Sequence, residues 1–115
     1  MNINMNMDKK DINHIDSNGL RQGLWKFYRK DEIISSEGYY VDGEFHGLWR
    51  IYNERGQLRY EVNYVNDILQ GLWIDWHKNG QLMWKGYYVN GILEGEDIEY
   101  GYKQKIYGSR RNKSI

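Results

Sequence analysis

Leu58, Tyr60, Val62 and Tyr64 alternate with Arg59, Glu61 and Asn63, a period of two that predicts a β-strand with one buried face. The alternation returns at Leu82, Trp84, Gly86 and Tyr88. Turn-forming stretches bound these runs: VDGE around Gly43, ERGQ around Gly56, KNGQ around Gly80 and VNGI around Gly91. Asp-Gly or Asn-Gly between apolar runs predicts a hairpin, because Asp and Asn tolerate positive φ and Gly favours it. Helix is not expected anywhere in residues 19–102.

The strands recur on a fixed period. Gly23, Gly47, Gly71 and Gly95 are 24 residues apart and open the phrases GLWKFY, GLWRIY, GLWIDW and GEDIEY. Stacking the chain on that period aligns Trp25, Trp49 and Trp73, then Tyr28, Tyr52, Trp76 and Tyr100. Leu24, Leu48 and Leu72 form a further column, as do Tyr40, Tyr64 and Tyr88. A fixed spacing in this range marks a repeat architecture. Each unit reads as two short strands and two turns, so the fold class is all-β, an antiparallel meander of 24-residue β-hairpin repeats. One hairpin cannot bury its own apolar face, and stacking units supplies the missing cover. Gly38 and Gly86 sit mid-strand between aromatic residues and are expected to make room for a neighbouring ring. Val62 takes that place in the second unit, which makes small size the requirement.

Composition narrows the function. The 115 residues include no proline and no cysteine, which excludes disulfides and thiolate chemistry. The formal net charge is zero, so nucleic acid is not an expected partner. Residues 1–18 are polar and Asn-rich, without the apolar run of a signal peptide or membrane span, and read as a flexible lead-in. A cytoplasmic location is the expectation. The repeats at 19–102 carry nine basic and thirteen acidic groups, whereas the tail at 103–115 has Lys103, Lys105, Arg110, Arg111 and Lys113 and no acid. Such a tail is expected to be solvated or folded back on the acidic fourth unit. Contact with anionic lipid is the functional alternative.

The strand WKGYY (Trp84 to Tyr88), the VNG turn (Val89 to Gly91) and FHG (Phe45 to Gly47) resemble the MORN repeat. The Gly-x-Trp-x-x-Tyr and Asn-Gly-Gln-Leu elements are similar to the variant in YwqK-type antitoxin-like proteins. The resemblance covers residues 19–102, three full units and a degraded fourth. Two departures stand out. Lys30-Asp31-Glu32 replaces a glycine turn, and the fourth unit loses both Leu and Trp. The resemblance implies a twisted single-layer sheet without catalytic residues or cofactors. It also implies scaffolding, acidic-lipid contact or neutralisation of a partner toxin.

Candidate chemistry is sparse. The partner-binding candidates are Trp25, Trp49 and Trp73, with Arg50 and the Tyr28, Tyr52 and Trp76 column as neighbours. In a strand Trp49 points opposite to Arg50 and Tyr52, so both faces carry aromatic rings. The tryptophans are either an exposed ladder for a protein partner or packed within the stack, and packing is the more economical reading. Lys103, Lys105, Arg110, Arg111 and Lys113 are the lipid-binding candidates of the alternative. Glu94, Glu96, Asp97 and Glu99 replace apolar positions of the fourth unit, with Asp97 and Glu99 expected on an exposed edge face. His14, His46 and His77 show no ligand spacing, so no metal is expected. Ser17, Ser35 and Ser36 have no nucleophile context. The expected function is a non-enzymatic protein-binding module, antitoxin-like or immunity-type. A membrane-associated scaffold is the alternative.

Overall fold

The structure is a computed structural model that describes residues 12–101 and the backbone of residues 106–112. Ten strands form one sheet: β1 His14–Ile15, β2 Arg21–Tyr28, β3 Ile34–Val41, β4 Glu44–Tyr52, β5 Leu58–Val65, β6 Ile68–Leu69, β7 Gly71–Trp76, β8 Leu82–Val89, β9 Ile92–Tyr100 and β10 Ile106–Asn112. Their spatial order follows the sequence, every pairing is antiparallel, and β6 pairs with β5 beside β7. The sheet is an open meander, as the period-two pattern predicts. No helix long and apolar enough to cross a membrane occurs among the described residues.

Two turn types alternate. Asp42-Gly43, Asn66-Asp67 and Asn90-Gly91 have positive φ at both positions and close two-residue loops between paired strands. Those are the angles of a type I′ turn, whose twist suits a hairpin. The amide N–H of Gly43, Asp67 and Gly91 donates to the carbonyls of Arg21, Phe45 and Leu69 at 2.9–3.0 Å, which ties each tip to the preceding unit. The other turn is wider. Arg29 N–H donates to the Ile33 carbonyl, Asn53 N–H to Gln57 and His77 N–H to Gln81. Its φ-positive residue is Gly56 or Gly80 in two units and Glu32 in the first, at φ 67°. The departure at Lys30–Glu32 therefore keeps the same turn with a residue that dislikes it.

The 24-residue glycine column has a backbone cause. Gly23, Gly47, Gly71 and Gly95 all have φ between 73° and 106°. Around Gly47 the β3–β4 register slips between Tyr40↔Phe45 and Gly38↔Trp49, and a slip between Tyr87↔Glu94 and Lys85↔Ile98 brackets Gly95. These are bulges, and glycine adopts their left-handed angles without strain.

The described parts of both chain ends pair into the sheet. The lead-in expected over 1–18 is ordered in its described part, because His14–Ile15 pair with β2 and Asp16 closes the turn back to Leu20. Asn13 continues that edge with its side chain. Its Oδ1 accepts from Lys26 N–H at 2.7 Å and its Nδ2 donates to the Lys26 carbonyl at 3.1 Å. An amide here substitutes for a neighbouring strand. At the other end the tail enters the sheet as β10, with Arg110 opposite Asp97 and Arg111 opposite Glu96 in the register. Strand β9 is thus not an edge. Asp97 is only 2 % exposed, contrary to the exposed face expected for it.

Among the described residues few are buried. Trp25, Tyr40, Trp49 and Val62 form the apolar core, flanked by Phe27, Phe45, Tyr60, Tyr64, Leu69 and Trp73. All lie on one face, because Trp25, Gly38, Trp49 and Val62 are successive cross-strand partners. Burying one such side chain contributes roughly 1.5–3 kcal/mol.

Candidate functional site

At Trp49 and Trp73 a small residue stands eleven places earlier, Gly38 and Val62, and that residue decides what the ring can do. Gly38 carries Trp49, whose ring lies so close that an added Cβ would come within 2.1 Å of its Cδ2. The Trp49 indole donates to the Tyr39 carbonyl at 3.1 Å, and Trp25 donates likewise to His14. Trp73 faces Val62, which is 1 % exposed and fills the space. Its N–H turns to Asp75 Oδ1 at 2.7 Å, and the ring is left half-buried. Trp25 and Trp49 are therefore scaffold, and Trp73 is the accessible member.

Beside Trp49 opens an apolar groove of about 410 Å³, lined by Phe45, Trp49, Ile51, Val62 and Tyr64, with Arg29 and two serines in its walls. Two of the ring pairs are edge to face and the third, Phe45 with Tyr64, is tilted. Phe45 meets Trp49 at 4.5 Å and Tyr64 at 5.0 Å, and Tyr40 meets Trp49 at 5.4 Å. Such pairs add about 0.5–1.5 kcal/mol beyond burial, so the floor is rigid. Arg21 roofs the neighbouring cluster, with its guanidinium carbon 4.5 Å from the Trp25 ring centroid and Nη1 donating to the Tyr40 hydroxyl.

Toward β9 the same face turns acidic. Tyr60, Asp75, Trp84 and Glu99 are successive cross-strand partners. Asp75 occupies the column of Phe27 and Ile51, one period apart. Burial pushes its carboxyl above the ordinary range, while the Trp73 hydrogen bond and the Arg59 charge pull it down. Burial also raises the Tyr88 phenol, and the charges of Asp75 and Asp97 raise it further. Trp84 packs over Gly86 from the same strand and donates to Asp97 Oδ2 at 2.8 Å.

The remaining candidates lie elsewhere. Arg50 is on the opposite face, 3.0 Å from Glu61, and that hydrogen bond raises its guanidinium further. The Tyr52 hydroxyl donates to Glu37 on that same face. Burial, followed by the bond and charge of Glu37, pushes Tyr52 up to about 12. Tyr28 is 54 % exposed near the β2 edge. Trp76 is half-buried, and its carbonyl accepts from Arg59 Nη1 at 2.9 Å. Trp49 and Trp73 thus share a surface with each other but not with Arg50 and Tyr52. Arg110 and Arg111 belong to β10, while Lys103, Lys105 and Lys113 lie outside the described residues.

Phe45, Ile51, Tyr60, Asp75 and Trp84 contribute to this face without having been singled out from the sequence as binding residues. Asp75 left a signal, because an acid in a Phe/Ile column departs from the repeat.

The family model of the MORN repeat variant matches residues 45–66 and 69–90. Those are the β4–β5 hairpin and the hairpin built by β6 to β8, each ending on the first residue of a type I′ turn. The match omits the first and fourth units, where the departures from the pattern fall. No curated protein and no solved structure matches the chain.

Proposed function

We propose that this chain is a non-enzymatic repeat module that binds another protein on the aromatic face of its sheet. The observation that carries the reading is the groove beside Trp49. It is apolar, rigidly floored and open in a sheet with no second layer among the described residues. Soluble proteins rarely leave joined aromatic surface uncovered without a partner for it. The matched repeat variant supports a binding module, and within that class the antitoxin-like role is the specific form we put forward. Ile51, Phe45, Tyr64 and Trp73 make the contact, over the Trp25 and Trp49 scaffold.

The test is affinity capture from the source cell with the wild-type chain, Ile51→Glu and Leu72→Glu. Ile51 and Leu72 are both exposed, one in the groove and one at 45 % exposure on the opposite face. A specific protein retained by wild type and Leu72→Glu but lost with Ile51→Glu supports the reading. Equal retention by all three overturns it. Recovery of anionic vesicles by all three chains, with no protein partner, would establish the membrane scaffold instead.

A further inference from the structure

The aromatic face changes chemistry along its length, and the change runs against the repeat. Columns that hold Phe27 and Ile51, or Trp25, Trp49 and Trp73, receive Asp75 and Asp97 one period on. A carboxylate drawn out of water in place of an apolar ring costs stability, and such departures concentrate where a protein does its work. Here each acid is held by an indole, Asp75 by Trp73 and Asp97 by Trp84. Tyr60 stands 6.2 Å from Trp73 at 77°, and Tyr88 stands 5.8 Å away on its other flank. Tyr60 and Trp84 are thus the cross-strand neighbours of Asp75, Trp73 holds its carboxylate with Tyr88 on the far flank, and Glu99 is exposed at the margin.

Ring faces and carboxylates attract the same ligand, a cation. Among the described residues no group of three or more acids, histidines or cysteines is placed to hold a metal ion, and the faces of Tyr and Trp rings suit an organic cation. Arg59 shows the preference within the chain. Its guanidinium carbon lies 4.9 Å from the Tyr60 centroid and its charge lowers Asp75, though one of its N–H groups is committed to the Trp76 carbonyl. The groove beside Trp49 spans β4 and β5, whereas Asp75 and Trp84 lie on β7 and β8. Two strand spacings separate them, about 10 Å. An extended chain covers that distance in two to four residues at roughly 3.3 Å each.

We propose that the end of the aromatic face built by Tyr60, Trp73, Asp75, Trp84, Tyr88 and Glu99 takes a lysine or arginine side chain of the protein partner, two to four residues from an apolar side chain seated in the groove. This rests on the aromatic face being the partner surface, and it names the segment recognised there: an extended basic–apolar stretch.

The experiment titrates the full chain with two synthetic heptapeptides, followed by the indole and amide N–H signals in nuclear magnetic resonance. One peptide carries Phe and Arg three positions apart in a Ser/Gly background, and its twin has Glu for Arg. The Arg peptide is expected to move the Trp73 and Trp84 indole signals saturably. Asp75→Asn, which keeps an acceptor for Trp73, should bind it about tenfold more weakly, and the exposed Glu99→Gln a few-fold more weakly. The spectra themselves report whether each variant is folded. Equal binding of both peptides, with shifts confined to the groove, overturns the cation site and leaves the protein-binding reading standing. An Arg-peptide affinity unchanged by both variants also overturns the cation site. If neither peptide moves any signal, both readings fall.

Discussion

The indole N–H of Trp84 reaches Asp97 Oδ2 at 2.8 Å, and an aspartate thereby occupies a tryptophan position of the repeat. In the first unit the ring over the mid-strand glycine comes from the next strand, as Trp49 does over Gly38. Over Gly86 it comes from the same strand, since Trp84 Cη2 would stand 2.5 Å from an added Cβ. The ring has moved one strand back, and its N–H satisfies the carboxylate left behind.

Removing that acceptor leaves a part-buried donor unpaired, which costs about 1–3 kcal/mol. Asp97→Ala should lower stability by about 2 kcal/mol in urea denaturation, and Asp97→Asn, which keeps an oxygen, by clearly less. Equal losses from both would mean that the hydrogen bond is not what holds Asp97 in place.

Two glycine columns fail for different reasons when a methyl is added. At Gly38 the Cβ meets the Trp49 ring, so Gly38→Ala displaces a core side chain and should cost about 3 kcal/mol or more. At Gly47 nothing lies within 4 Å of the added carbon and only φ 97° objects. Gly47→Ala should cost about 1–2 kcal/mol. Near-ultraviolet circular dichroism distinguishes them further, because only Gly38→Ala disturbs the packing of Trp49.

Glu32 holds a left-handed angle that Gly56 and Gly80 hold in the later units. Glu32→Gly relieves about 1–2 kcal/mol of backbone strain against 0.5–1 kcal/mol of added freedom in the unfolded chain. A net gain of about 0.5–1 kcal/mol is expected, read as a higher denaturation midpoint. A lower midpoint would show that the Glu32 side chain contributes more than its backbone costs.

Tyr52 titrates at about 12 rather than 10.0 because it is partly buried and donates to Glu37. A phenol raised in the folded state is protonated in both states below pH 10 and ionises first in the unfolded chain above it. Its stabilising contribution is therefore complete below pH 10 and is lost as the pH rises toward 12. Ultraviolet titration should show a late phenolate step that Tyr52→Phe removes, and stability above pH 10 should fall less steeply in that variant.

Much of this was written in the alternation and the period. The hairpins, the order of the strands and the opposition of Trp49 to Arg50 and Tyr52 follow from side chains alternating across a strand, a rule that needs no tertiary contact. The need for a small residue at 38, 62 and 86 was legible too, because three aligned positions share one constraint. The site was less legible. Trp25, Trp49 and Trp73 look equivalent in sequence, yet only Trp73 is accessible, because Val62 fills the space that Gly38 gives Trp49. The tail at 103–115 showed only its charge, and its pairing with β9 depends on a strand that local residues do not name.

The sequence by itself determined a repeat of antiparallel hairpins, since the spacing of turn residues and the parity of apolar positions are local properties of the chain. The tertiary structure alone decided which glycines serve an angle and which serve a ring. It also decided which tryptophans are scaffold, and that the acids at 75 and 97 are set among aromatic rings instead of in water. Those outcomes depend on the side chain that arrives from the neighbouring strand and how much room it finds there.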